Sequence, residues 1–172
     1  MVFGGQAVLL HGEPRLTQDI DVTLGADPSH LAAALGVVRE LGLTPLVDPE
    51  PFVAETYVLP CIEEATGIRV DLFFSNEGYE RAALARTVTA RVGGADVRFA
   101  SAEDLLVQKH VAGHPRDVED AQGVLDRNPG ADTAYVRRWL RAFDAALGTG
   151  AAAAFDRLLT AGDAAGPASG GS

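Results

Sequence analysis

Asp19 and Asp21 stand two apart in the apolar run Asp19-Ile20-Asp21-Val22. On an extended strand side chains alternate faces, so both carboxylates emerge on the same side. Like charges held that close repel, and a divalent cation relieves the repulsion most directly. Mg²⁺ is the natural ion, with Mn²⁺ as a substitute, because both take carboxylate and phosphate oxygen. A third aspartate, Asp71, lies in a second apolar run, 68–74. If that strand neighbours the first, its carboxylate reaches the same ions. Upstream, Gly4-Gly5 forms a turn whose backbone amides can approach a triphosphate closely, and a helix starting there adds the positive end of its dipole. Three acids and a glycine turn suit in-line displacement at phosphorus, with two cations activating the attacking hydroxyl and stabilising the leaving oxygen. Positioning and charge neutralisation supply most of the acceleration in such chemistry, so no protein nucleophile is required.

The elements that must position these residues alternate strand and helix and then become all helix. Val2-Phe3 is a strand stub broken at Gly4-Gly5; residues 6–10 form a short helix that closes near Gly12, and 19–24 is a strand. Asp27 caps a helix with Pro28 at its first position and a stop at Gly42, and Leu31, Leu35, Val38 and Leu41 recur at helical spacing. Residues 52–59 and 68–74 read as strands. In the latter, Arg69, Asp71 and Phe73 share one face, with Val70, Leu72 and Phe74 on the other. Asn76 caps a helix running to Ala85, and 87–92 and 96–99 flank Gly93-Gly94 as a hairpin.

Ser101 caps the next helix, with Glu103 and Asp104 in its first turn, where the dipole favours anions. That helix carries Leu105, Leu106, Lys109 and Val111 and breaks at Gly113-His114-Pro115. A second places Asp117, Asp120 and Val124 on one side and ends near Asn128-Pro129-Gly130. Val136, Trp139, Leu140, Phe143 and Leu147 form an amphipathic stripe on a third, and 151–159 is the last helix. The expected fold is α/β (α+β): a short mixed sheet bearing the acids, flanked by helices and followed by a C-terminal helical region. The expected divisions are a core at 1–100, a helical region at 101–161 packed on it, and a tail at 162–172, where Gly-Asp-Ala-Ala-Gly-Pro-Ala-Ser-Gly-Gly-Ser buries too little apolar surface to stay ordered.

Composition narrows the class. At 172 residues, 47% hydrophobic, with a mean hydropathy of +0.09, the chain is expected to be a soluble globular protein of one domain with a helical appendage. No apolar run reaches the roughly 18 residues of a membrane span. A single cysteine, Cys61, suits a reducing cytoplasm, and the opening Met-Val-Phe-Gly-Gly lacks the charged head and apolar stretch of a secretory signal. The net charge of −10 argues against broad, salt-driven binding to nucleic acid.

Taken together, Gly4-Gly5, His11-Gly12, Arg15, Thr17 and Asp19-Ile20-Asp21 resemble the opening motif of minimal nucleotidyltransferases of the DNA-polymerase-β superfamily, in particular the bacterial abortive-infection and toxin-like branch. Asp71 in Arg69-Val70-Asp71-Leu72-Phe73 matches that superfamily's third carboxylate, and the segments around Lys109 and around Arg116-Asp117-Val118-Glu119-Asp120 resemble the branch's helical motif. The resemblance covers residues 4–125. It implies a nucleotidyltransferase fold and transfer of a nucleoside monophosphate from an NTP to a hydroxyl, with Asp19, Asp21 and Asp71 holding Mg²⁺ (Asp71 completing the site or accepting a proton). By the same resemblance Gly4 and Gly5 seat the phosphates, Lys109 neutralises the triphosphate, Asp117 is a further site acid, and Arg15 and Thr17 position the loop before the strand. The acceptor it implies is the 3′ end of tRNA, with an antitoxin partner; the alternatives are a small hydroxylated compound such as an antibiotic, or a nucleotide-binding antitoxin or regulator without catalysis. The chain departs from the pattern in having only Met1-Val2-Phe3 ahead of the glycine pair and His114 where an arginine is common.

Plainer roles compete for several of these residues. Asp71 can pair with Arg69 or Arg98, Lys109 can belong to a solvated helix face, and Asp117 and Asp120 can flank Arg116 in a surface ion cluster. His11 suits packing, and His110 and His114 lack partners at zinc spacing. Arg137, Arg138 and Arg141 suit a solvated helix face better than an RNA contact.

Overall fold

The two apolar runs that carry the acids are strands lying side by side in the computed structural model, which describes residues 1–13, 17, 19–75 and 78–164. The chain divides into two compact units, Met1–Leu10 with Pro14–Ser101 and His11–Glu13 with Ala102–Ser172.

In the first unit β1 (Val2–Phe3), β2 (Asp19–Leu24), β3 (Thr44–Pro45), β4 (Val58–Glu63), β5 (Ile68–Phe74), β6 (Val88–Val92) and β7 (Ala95–Phe99) form, among the described residues, a seven-stranded mixed sheet in the order β3-β4-β5-β2-β1-β7-β6. The central pair β2 and β5 is parallel, β1 joins β2 antiparallel and β7 parallel, and β4 joins β5 antiparallel. With only two residues, β1 is secured by flanking bonds in which Thr23 N donates to Met1 O and Ala100 N to Val2 O, each at 2.8 Å.

The sheet's core lies on the face away from the acids. Val38, Val53, Leu59, Cys61 and Phe74 are buried together there, with Leu24, Leu31, Ala34, Leu35, Leu43 and Leu72 packed against them. The helices over this face are α2 (Leu31–Glu40) and α3 (Pro49–Thr56). Asp27 accepts from Ser29 N at 2.8 Å, but the turn it caps is 3₁₀, Pro28–His30, and α2 proper starts at Leu31. Leu41, expected on the core stripe, lies beyond the helix end and is exposed, where with Val37 it lines the mouth of an apolar cavity of about 530 Å³.

Residues 52–59 are not one strand. Phe52 to Thr56 belong to α3, which places Pro49 and Pro51 in its first turn, where missing amides cost no helical bond. Tyr57 then takes the left-handed conformation, φ 61°, ending the helix so that β4 begins at Val58. The remaining helices of this unit are α1 (Gly4–His11), which starts at the glycine pair itself, and α4 (Tyr79–Ala85) behind Gly78; the expected cap Asn76 lies outside the described residues.

The second unit is all helix: α5 (Ala102–Ala112), α6 (Pro115–Arg127), α7 (Thr133–Leu147) and α8 (Ala151–Ala164). Leu105, Leu106, Val124, Val136, Leu140 and Phe155 are fully buried, whereas Leu147 at the end of the expected stripe is exposed. The last helix runs to Ala164, three residues past the division expected at 161. Segment 11–13 is tied to the end of α6: Asn128 Nδ2 donates to His11 O at 2.8 Å and Arg127 Nη2 to Glu13 Oε1 at 2.8 Å.

Candidate active site

Parallel pairing sets β2 and β5 in a register that matters chemically: Asp19 lies opposite Arg69, and Asp21 opposite Asp71. Partners in register point to the same face of a sheet, so three carboxylates and one guanidinium share the face opposite the core. Thr23 and Phe73 continue this face, and Phe3 on β1, opposite Asp21, packs edge-on against Phe73 with ring centroids 4.9 Å apart.

Gly4 closes in on this face. It has φ +59°, a conformation L side chains avoid, and a Cβ built on it would overlap Asp21 Oδ2. The glycine is therefore required twice, by its own backbone and by the carboxylate beside it. Gly5, next in α1, is buried.

Asp71 is engaged by its strand neighbour two residues back. Arg69 Nε donates to both carboxylate oxygens, at 2.9 and 3.1 Å, with the arginine side chain 50% and the aspartate 14% exposed. The hydrogen bond from Arg69 to Asp71, then the charges of Asp71, Asp19 and Asp21, hold the guanidinium's pKa up. Arg98, the other partner considered for Asp71, donates instead to Thr87 Oγ1 and Leu84 O. Thr17 Oγ1 donates to Asp19 O at 3.3 Å, so it braces the entry to β2 through backbone. Arg15 lies outside the described residues. Cys61, on the core face, has its thiol pushed up to about 11 by burial and secondarily by the charge of Asp71, which removes it as a nucleophile.

The donor set here is three carboxylates, the hard oxygen ligands that Mg²⁺ takes, and the absence of a side chain at Gly4 is what lets the Asp21 carboxylate lie against the backbone there. Residue types and shared face thus fit a divalent cation. As the side chains stand, with Asp71 turned onto Arg69, no three His, Cys, Asp or Glu side chains among the described residues form a metal cage.

In the second unit Lys109, nearly buried on α5, donates to Asp117 Oδ1 at 2.7 Å and lies 2.8 Å from Asp120 Oδ2. Asp117 Oδ2 also accepts from His114 N at 3.1 Å, fastening the start of α6. The Lys109 ammonium is thus spent on carboxylates, and Asp117 and Asp120 are buried with it rather than arrayed around Arg116. A second buried polar contact, Tyr135 OH donating to Asp104 Oδ1 at 2.8 Å, has no sequence signal, since Asp104 reads only as a first-turn acid favoured by the helix dipole. Arg69 was also missed as a site residue; its signal was the spacing of two from Asp71 on one strand face.

A family model described as "Nucleotidyltransferase of unknown function (DUF6036)" matches residues 1–127. The chain belongs to this nucleotidyltransferase family. Among solved structures, the antibiotic-resistance factor ANT(2″)-Ia is similar over 86% of this chain and 82% of its own, with a TM-score of 0.55 at 17% identity, and shares the fold. An antigenic nucleotidyltransferase-like protein from Paracoccidioides brasiliensis aligns over 89% of this chain and 82% of its own, with a TM-score of 0.49 at 14% identity. No curated protein matches the sequence. The mixed sheet flanked by helices is a nucleotidyltransferase fold, and the family implies a nucleotide substrate. Among the described residues no helix is long and apolar enough to cross a membrane.

Proposed function

We propose that this nucleotidyltransferase moves a nucleoside monophosphate from an NTP to a hydroxyl acceptor and releases pyrophosphate, using divalent cations held by Asp19, Asp21 and Asp71. The observation that carries the reading is the register of β2 and β5, which puts the three carboxylates on one face with Gly4 against Asp21. In this reading the bond from the acceptor oxygen to the α-phosphorus forms as the bond to pyrophosphate breaks, and Asp71 takes the hydroxyl proton. The amides of Gly4 and Gly5, at the start of α1, seat the β and γ phosphates. Mg²⁺, when bound, supplies charge neutralisation of the triphosphate and acidifies the attacking hydroxyl. Lys109 is assigned the positioning of Asp117 and Asp120, on which both of its contacts fall.

For the acceptor, the toxin-branch resemblance favours the 3′ end of tRNA, in a toxin held by an antitoxin. The net charge of −10 favours a small hydroxylated compound, and one fold relative is an antibiotic-resistance factor. Incubation of wild type, Asp21→Ala and Asp71→Ala with labelled NTP, Mg²⁺ or Mn²⁺, total tRNA and an aminoglycoside panel separates these. The expected result is metal-dependent labelling of one acceptor class by wild type alone. Label on the drug alone rules out tRNA, and label on neither, with NTP affinity unchanged by Asp21→Ala, favours a non-catalytic binding module.

A further inference from the structure

We propose that Arg69 is the acid trio's built-in counter-cation, holding Asp71 in the metal-free protein and released from it when a divalent ion binds; this rests on the metal-site reading above. On β2 and β5 this face carries Asp19, Asp21 and Asp71 with one basic residue among them, and the register sets that base, Arg69, opposite Asp19 and two residues from Asp71. Both oxygens of Asp71 accept from Arg69 Nε, so the carboxylate is turned onto the guanidinium and away from a common ion with Asp19 and Asp21. The contact is made to leave. It uses one nitrogen of a five-donor fork, and half of the arginine side chain is in water, where solvent screens the single charge and a doubly charged ion wins the competition. For the three acids to meet one ion the Asp71 carboxylate turns away from the guanidinium, and the longer, half-exposed arginine side chain is free to part from it. Arg69 is thus a positioning residue: it neutralises one of three carboxylates on a shared face until the ion arrives, and it sets the ion's threshold concentration.

The test is Mn²⁺ binding by calorimetry, with thermal unfolding in chelator and in excess Mn²⁺, on wild type, Arg69→Gln, Arg69→Lys and Asp21→Asn. Arg69→Gln is expected to bind Mn²⁺ about tenfold more tightly, the scale of one neighbouring charge removed at a protein surface. Its unfolding midpoint falls below wild type in chelator and returns to the wild-type value in Mn²⁺, while Arg69→Lys recovers the midpoint in chelator. Equal or weaker Mn²⁺ binding by Arg69→Gln, or an unchanged midpoint in chelator, overturns the role of Arg69 while wild-type binding lost in Asp21→Asn keeps the metal site. Absence of Mn²⁺ binding in wild type and Arg69→Gln alike overturns the metal site and this role with it.

Discussion

Gly4 carries two constraints in one atom's absence, a left-handed backbone and the Asp21 carboxylate occupying the space of a Cβ. Gly4→Ala is therefore expected to cost about 1–2 kcal/mol from the backbone alone, measurable by urea denaturation, and to abolish nucleotidyl transfer by pushing Asp21 off its position. A variant that keeps wild-type turnover would show that Asp21 needs no fixed place. Lys109 makes a different prediction. Removing it in Lys109→Met leaves Asp117 and Asp120 buried without their shared cation, expected to destabilise by about 3–5 kcal/mol; Lys109→Arg, which keeps the charge, should lose less. A small loss in Lys109→Met would mean water, not lysine, satisfies those carboxylates. At this scale sequence was informative where period two or a helical face decided the outcome: Asp19 with Asp21, Asp71 with Arg69, and Asp117 with Asp120. It was silent on choices among partners. Arg69 rather than Arg98 at Asp71, and Lys109 rather than Arg116 at Asp117, depend on which side chains tertiary packing brings within 3 Å.

Elements were legible where local chemistry pointed one way. β2, β5 and the hairpin β6–β7 follow from alternation and a glycine turn, and α5 to α7 follow from apolar stripes between breakers. Segment 52–59 failed because Phe52, Val53 and Tyr57 favour a strand while Pro49 opens a helix, and burial of Val53 against the sheet decides for the helix. The start of α8 offers a direct check. Asp144 accepts from Thr149 Oγ1, Ala151 N and Ala152 N at 2.6, 2.7 and 3.1 Å, and these bonds, the Thr149 hydroxyl first, hold its pKa below the usual value. A depressed carboxylate stabilises above its unfolded pKa and loses that contribution as pH falls through the folded one. Asp144→Ala should accelerate hydrogen exchange at Ala151 and Ala152 at neutral pH, and acid should do the same to wild type; protection unchanged in the variant would remove the cap. His110 runs the opposite way. Burial against Phe155 lowers its pKa from 6.5, while the Leu106 carbonyl and Asp117 oppose the shift. Below pH 6.5 the unfolded chain takes a proton the folded one resists, so stability is expected to fall as pH drops from 7 towards 5. His110→Asn should flatten that slope in thermal melts, and an unaltered slope would assign it to other groups.

For the whole molecule, charge makes the strongest statement. With 24 acidic against 14 basic residues, duplex RNA and bulk tRNA are expected to show no measurable non-specific association at physiological salt, by fluorescence anisotropy. Micromolar binding with a steep salt dependence would reveal a local basic surface that outweighs the total. Family and fold class were legible at this scale because the opening motif ties strand, turn and carboxylates to one another in order along the chain, and the family match and the mixed sheet agree with that family and fold. By itself the sequence determined which residues could do chemistry, on which strand face they lie and that the ends of the chain differ in architecture, since these depend on periodicity and residue type. Only the tertiary structure decided that β5 lies parallel beside β2 with Asp21 opposite Asp71, that Gly4 abuts Asp21, and that each buried charge has the partner it has. Those outcomes hinge on strand order and register between segments some fifty residues apart, where many pairings satisfy local rules equally and burial of the shared core selects one.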